Sequence, residues 1–303
     1  MDGSDAAKID RNTLTFAWWN TSLAPTSVSR STPELQDFAA QVLEYLIVEK
    51  NADFIALGEV SELDFDILSR KSSFAHYQYV SAVAAVGRTN YDLGYLYNTL
   101  KISVMDAKNI STMSGTSTLK LAHRVILEVY GSILPICLFI SHWPSRMYTS
   151  SNDATRHELG VRLRSKIEEV LEVEGANPLV ILLGDFNDEP FDLSMSEQLK
   201  ASRDIELVKK KPHLLYNPFW SYLGRKSSHK FSTGSYFYKS GKVTKWHTFD
   251  QIIFSHGFIK ATHWRLADDC EYIVQLPELV EMVKSRKSVF DHLPVYGIIE
   301  QVA

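Results

Sequence analysis

Apolar runs that stop abruptly at a polar side chain recur along this chain. Leu14-Thr15-Phe16-Ala17-Trp18-Trp19 stops at Asn20, the run over 52–58 stops at Glu59, and the run over 134–141 stops at His142. Pro178-Leu179-Val180-Ile181-Leu182-Leu183 gives way to Gly184-Asp185-Phe186-Asn187, with Asp188 and Glu189 crowding the exit. Asp250 lies within the run over 246–254, and Asp291-His292 precedes Leu293-Pro294-Val295. Short continuous apolar runs are the pattern of strands buried on both faces. Six such strands are expected to bring their polar ends to one place.

Helical patterns separate the early strands. Ser31 or Thr32 can cap a helix with Pro33 in its first turn, and Leu35, Phe38, Ala39, Val42, Leu43, Leu46 and Ile47 form its apolar stripe. A second helix is predicted over about 153–172, with Leu159, Leu163, Ile167, Val170 and Leu171 on one side. Later strands, over 120–130, 134–141, 231–238 and 247–254, follow one another with fewer helices between them. Antiparallel neighbours are therefore expected, in an α/β arrangement of two packed sheets flanked by helices. The Ser/Thr/Gly-rich stretch 111–119 and the stretch 221–230 read as mobile loops.

Composition sets limits on this picture. The 303 residues are 45% hydrophobic, enough for a large core, and no Pro/Gly-rich break divides them, so one domain over 13–303 is expected after a disordered segment 1–12. No signal-peptide pattern or long apolar stretch occurs, which points to a soluble, cytoplasmic protein with no membrane partner. Two cysteines, Cys137 in a predicted strand and Cys270 far downstream, make neither a disulfide framework nor a zinc site. The net charge of −4 argues against a protein that coats nucleic acid through a broad basic surface. It is compatible with a cleft enzyme that carries a divalent cation. Lys209-Lys210-Lys211 reads as a solvated surface, whereas Arg146 and Arg156, close behind His142, are candidates to reach phosphate.

Taken alone, Gly184-Asp185-Phe186-Asn187 has the residue types of an ordinary turn before Pro190. The other strand-end residues change its meaning. Asn20, Gly58-Glu59, Ser141-His142-Trp143-Pro144-Ser145-Arg146, Gly184-Asp185-Phe186-Asn187, Phe249-Asp250-Gln251-Ile252 and Phe290-Asp291-His292-Leu293-Pro294-Val295 occur in the order and at the separations found in one superfamily. The chain resembles the endonuclease/exonuclease/phosphatase superfamily, which includes pancreatic-type deoxyribonuclease and apurinic/apyrimidinic endonuclease. The resemblance runs from about Thr13 to about Ile299 and implies a four-layer sandwich of two mixed β-sheets flanked by helices.

The resemblance and the residue types together assign roles. Hydrolysis of a phosphodiester needs an attacking water, neutralisation of the non-bridging oxygens and help for the leaving oxygen, and hard oxygen ligands around Mg²⁺ or Mn²⁺ supply much of this. Glu59 is the first candidate for a metal ligand. Asn20 offers the metal an oxygen or phosphate an N–H, and Asp291 could bind the metal or a second one. Asp185 would position and deprotonate the water, and Asn187 would donate to a phosphate oxygen. Residues i and i+2 of an extended segment point the same way, so Phe186 between them should turn into the core.

His292 would stand beside the scissile phosphate, with Asp250 on its other nitrogen keeping the ring cationic. In the deoxyribonuclease branch a histidine at the position of His142 works with an upstream acid, for which Asp92 is the nearby candidate. Arg124 matches a position where family members often place a basic residue on phosphate, although a structural ion pair serves equally well there. The late aromatics, Tyr236-Phe237-Tyr238 among them, could stack bases, but their alternation reads more simply as a strand with one face in the core.

Trp246-His247-Thr248-Phe249-Asp250-Gln251 departs from the Trp-Cys-Asp-Arg pattern of inositol-polyphosphate phosphatases, and no apolar docking hairpin of the sphingomyelinase kind is evident. The His142 and Asp185 motifs look most like bacterial nuclease-like members, so the substrate expected is DNA ahead of RNA. The alternatives are a small-molecule or lipid phosphoesterase and, in a different class, a binding module whose catalytic site has lapsed.

Overall fold

The computed structural model describes residues 13–25, 27–87, 89–151, 153–173, 177–226, 231–267 and 272–302. The expectation for 1–12, Cys270, His229 and the stretch 227–230 lie outside these residues. Two mixed sheets form the body of the protein. One runs, edge to edge, Trp264–Leu266, Val295–Gln301, Thr13–Asn20, Phe54–Gly58, Leu93–Asn98 and Tyr77–Ser81. The other runs Ala201–Ser202, Leu215–Tyr216, Asp250–Ser255, Leu179–Asp185, Ile136–His142, Ser117–Val129 and Ile102–Ser114.

Each sheet has a parallel pair, joined by a long helix, that ends at the site; the seven-stranded sheet has a second, short one at its edge, Ala201–Ser202 with Leu215–Tyr216. Thr13–Asn20 and Phe54–Gly58 are parallel across helix Pro33–Val48, and Ile136–His142 and Leu179–Asp185 are parallel across helix Ala154–Val173. A helical crossover returns the chain to the same end of the sheet, so parallel neighbours finish together. Asn20 therefore sits opposite Gly58, and Asp185 opposite His142; the antiparallel strand on the other side sets Asp185 against Asp250. The first helix starts where its sequence signals say, with the Thr32 side chain accepting from the Leu35 N–H and Pro33 following.

Alternation along Leu179–Asp185 shows the layering. Leu179, Ile181 and Leu183 join the main core with Phe16, Ile55, Leu138, Ile140, Ile252 and Phe254 from both sheets. Val180 and Leu182 instead meet Leu159, Leu163 and Ile167 of helix Ala154–Val173 in a second apolar cluster. Both faces are dry, which is why this strand reads as a continuous apolar run.

Three expectations change. The stretch 111–119 is no loop but the end of a long hairpin, Ile102–Ser114 with Ser117–Val129, turned at Gly115 and Thr116, where Gly115 has φ +58°. Its Ser and Thr residues pair across the strands as β-branched and small polar residues can. The strand predicted over 231–238 shrinks to Tyr236–Phe237, and that predicted over 247–254 divides into Trp246–His247 and Asp250–Ser255. Among the described residues, no helix is long and apolar enough to cross a membrane.

Candidate active site

The polar strand ends meet in a cleft of about 720 Å³ lined by Glu59, Asp92, Lys120, His142, Asp185, Asn187, Tyr236, Asp291 and His292, among others. At its floor the Asn20 side-chain N–H₂ donates to Glu59 Oε1 at 3.1 Å and to Asp185 Oδ2 at 3.2 Å. The Asn20 oxygen accepts from the Ser22 N–H at 3.0 Å. In this geometry the Asn20 amide is engaged at both ends, its N–H₂ by the two carboxylates and its oxygen by the Ser22 N–H.

Two imidazole–carboxylate pairs flank that floor. His292 Nδ1 lies 2.8 Å from Asp250 Oδ2, whose other oxygen accepts from the Trp18 indole N–H at 2.7 Å. His292 Nε2 then faces Asp185 Oδ2 at 3.7 Å. On the other side His142 Nδ1 lies 2.8 Å from Asp92 Oδ2, and His142 Nε2 faces Glu59 Oε1 at 3.8 Å. Lys120 holds the second Asp92 oxygen at 2.6 Å. The expected pairing of His142 with Asp92 is thus present, and Lys120 extends it.

Charge follows from these contacts. Burial by itself would discharge His292, but Asp250 and Asp185 outweigh it and push its pKa up to about 10. Burial likewise opposes the charge on His142, and Asp92 overcomes it, so this pKa is also raised. Asp92 is buried too, yet His142 and Lys120 hold its carboxyl well below the usual range. Asp185 and Glu59 move the other way: burial raises both, Asp250 raises Asp185 further, and the histidines only partly offset the effect.

Asp185, Asp250 and His292 lie close enough together to hold an ion by distance alone. Chemistry argues against that trio, because a cationic imidazole already bound to one carboxylate offers a metal no lone pair. Glu59 and Asp291 fit better. Glu59 is a half-buried carboxylate in a site where Asp92, Asp185, Asp291 and Asp250 behind His292 bring the carboxylates to five, against two imidazoles, the Lys120 ammonium and the Arg30 guanidinium, an excess of negative charge that a divalent oxygen-seeking cation would neutralise. Asp291, its Oδ1 accepting from the Ser22 hydroxyl at 2.6 Å, keeps its side chain 31% exposed to the cleft.

The Gly184-Asp185-Phe186-Asn187 motif is both turn and site. Asp185 Oδ1 accepts from the Asn187 N–H at 2.8 Å, and Asn187 takes φ +51° with its amide donating to the Trp143 carbonyl at 3.1 Å. Asp185 and Asn187 do line the cleft while Phe186 is buried beneath. The cause is this local turn, though, and not an extended i, i+2 segment. A β-carbon on Gly184 would collide with the Ser141 backbone, so the strands can close up here only at glycine. Glu59 also adopts a left-handed backbone, φ +51°, directly after the strand ends.

The three arginines expected on phosphate lie elsewhere. Arg156 is fully buried and donates to the carbonyls of Phe186, Thr149 and Pro144, so it braces the loop beneath the cleft. Arg146 donates to the Asn187 carbonyl at 2.8 Å, pairs with Asp188 and Asp192, and lies over the Phe249 ring. Arg124 pairs with Asp106 and faces the helix side, near Cys137 and Glu169. The register shift opposite Ile110 and Ser111 explains this: Leu121 is an extra residue there, so Lys120 and Arg124 fall on opposite faces despite their even spacing. Lys120 is the basic residue of that strand that lines the cleft. Sequence reasoning also passed over Trp18, Ser22 and Arg30, and no pattern in the chain distinguishes them.

Comparison with known proteins bears on the family and the fold. The model of the Endonuclease/Exonuclease/phosphatase family matches residues 21–281. No curated protein matches the chain in sequence. The catalytic domain of human Nocturnin with bound sulfate is similar in structure, with a TM-score of 0.61 at 17% identity over 96% of this chain and 95% of that one. Mannosyl-6-phosphatase Bt3783 of Bacteroides thetaiotaomicron VPI-5482 gives 0.58 at 15% identity over 96% and 100%. TDP2 of D. rerio, complexed with a single-strand DNA product, gives 0.56 at 15% identity over 95% and 99%. At these identities the likeness is one of fold.

Proposed function

The chain belongs to the endonuclease/exonuclease/phosphatase family of metal-dependent phosphoester hydrolases, and from that premise we propose that it hydrolyses DNA phosphodiesters with the aid of Mg²⁺ or Mn²⁺. The observation that carries the reading is the face-to-face placement of two imidazole–carboxylate pairs across Asp185, Asn20 and Glu59. A cation held by Glu59 and Asp291 would polarise and neutralise the phosphoryl oxygens. Asp185, whose pKa burial has raised, is placed to take a proton from the attacking water. His292, cationic and fixed by Asp250, meets the charge that builds on phosphorus-bound oxygen, and the Asn187 side chain lies on the same wall. His142 with Asp92 stands opposite, where it can hold a proton for the departing oxygen.

Polynucleotide as substrate draws support from the TDP2 likeness, since that protein was captured with a DNA product. A small phosphoester is the second reading. Its support is the scarcity of cations: among the described residues lining the cleft, Arg30 and Lys120 are the basic side chains besides the two histidines, and Lys120 is committed to Asp92. One panel separates the readings: linear, circular and single-stranded DNA, RNA, and soluble phosphoesters, each with Mg²⁺, Mn²⁺ or EDTA. DNA cleavage that EDTA stops and Asp185→Asn reduces by at least about 10²-fold is expected. Cleavage confined to soluble phosphoesters would replace DNA with the second reading, and full activity of Asp185→Asn would remove its assigned role.

A further inference from the structure

Tyr236 is held against the reacting centre by its neighbours' backbone and has a hydroxyl without an assigned task. The Ser235 N–H donates to the His247 carbonyl at 2.8 Å, the Ser235 carbonyl accepts from the Leu293 N–H at 2.7 Å, and the Phe237 N–H donates to the Asp291 carbonyl at 2.8 Å. The Ser235 hydroxyl accepts from the Asp250 N–H at 3.0 Å. The segment thus brackets both members of the His292–Asp250 pair. Phe237 turns inward and packs on Trp246 at 4.9 Å, so the alternation sends Tyr236 to the opposite side, into the cleft.

There the Tyr236 ring lies 4.6 Å from the His292 ring and stacks on Phe249 at 5.3 Å. Burial, then the charges of Asp291 and Asp185, raise the phenol pKa well above its ordinary value, so the group keeps its proton. Phenols placed in half-buried polar sites normally bond to something. Among the described residues this hydroxyl has no hydrogen-bond partner. A neutral donor fixed beside an imidazolium on the wall of a phosphoesterase cleft suits a phosphoryl oxygen as its acceptor.

We propose that the Tyr236 hydroxyl donates a hydrogen bond to a non-bridging oxygen of the substrate phosphoryl group, alongside the His292 imidazolium. The proposal rests on the reading of the cleft as a phosphoesterase site. It makes Tyr236 a catalytic residue through its O–H and leaves the ring to pack His292.

Tyr236→Phe removes the hydroxyl and keeps both ring contacts; Tyr236→Leu removes both. For each protein the measurements are thermal melting, calorimetric binding of inorganic phosphate with Mg²⁺ present, and kcat and KM on two phosphodiesters that differ only in a nitrophenyl or alkyl leaving group. Tyr236→Phe is expected to melt like the parent and to lower kcat about 10–100-fold by the same factor on both substrates. It should also weaken phosphate binding by about tenfold, as loss of a bond to a charged acceptor does. Unchanged phosphate binding and kcat in Tyr236→Phe, with Tyr236→Leu impaired, would reduce Tyr236 to a packing role and overturn the proposal. A loss confined to the alkyl substrate would overturn it as well, by moving the donor to the leaving oxygen. If the parent protein cleaves no phosphoester, the functional reading falls, and the phosphate-binding comparison still decides the role of Tyr236.

Discussion

Each histidine of the site is made useful by the group on its far nitrogen. His292 carries a pKa of about 10 because Asp250 and Asp185 outweigh its burial, and Asp250 is itself anchored by Trp18 and by Ser235. Asp250→Asn removes the larger attraction and lowers that pKa, so the alkaline limb of the activity profile should move down by at least about one pH unit. The sign for stability follows. A folded-state pKa raised above the unfolded value of about 6.5 contributes stability that is complete below about pH 6.5 and is lost as pH climbs through about 10. Denaturant melts at pH 6 and pH 10 should therefore differ less for Asp250→Asn than for the parent, and an equal pH sensitivity of the two would show that Asp250 does not set the charge on His292. Asp185 and His142 were legible as candidates because each closes an apolar run, whereas Asp250 lies within one and His292 precedes one, so these two were picked out by their motifs. Trp18 was not, because a tryptophan inside an apolar run reads as core, and its N–H bond spans 232 positions of sequence.

One extra residue in a strand decides which basic group meets the substrate. Both Leu121 and its successor Ala122 pack into the outer apolar cluster, which strict alternation forbids and a bulge allows. Period-two reasoning along 120–130 therefore fails at that point, and Arg124 goes to the helix side while Lys120 turns toward Asp92. Lys120→Ala should lower kcat by about tenfold or more by loosening the Asp92–His142 pair, with KM changing less. Arg124→Ala breaks only a half-exposed ion pair with Asp106, so it should keep kcat within about twofold and stability within about 1 kcal/mol. The opposite ranking of the two variants would mean that the face assignment is wrong. Elements with a strong period, the helix Pro33–Val48 and the strand Leu179–Asp185, were predicted well because burial on defined faces leaves a long record in sequence. The end of the long hairpin was misread as a loop, since Ser and Thr serve turns and edge strands alike.

At the scale of the molecule the site belongs to neither sheet. Asn20 ends one strand of the six-stranded sheet and Glu59 follows another, His142, Asp185 and Asp250 lie on the seven-stranded one, and Asp291-His292 enters just before Val295–Gln301 returns to the first. Anything bound there bridges the two halves of the core, and its binding energy must be given up when the sheets part. The surplus of carboxylates at the seam makes a divalent cation the ligand most able to do this. Mg²⁺ or Mn²⁺ at about a hundred times its dissociation constant should stabilise the folded protein by about 2.7 kcal/mol. For a chain of this size that corresponds to a rise in melting temperature of a few degrees, which EDTA should reverse. Glu59→Gln retains the shape and the bond from Asn20 but removes the charge. Its melting temperature without metal should match or exceed the parent's, because burial already disfavours the Glu59 carboxylate, and its response to metal should be lost or greatly reduced. Scanning calorimetry of both proteins with and without the ion checks the argument, and a full metal response in Glu59→Gln would place the cation elsewhere in the cleft.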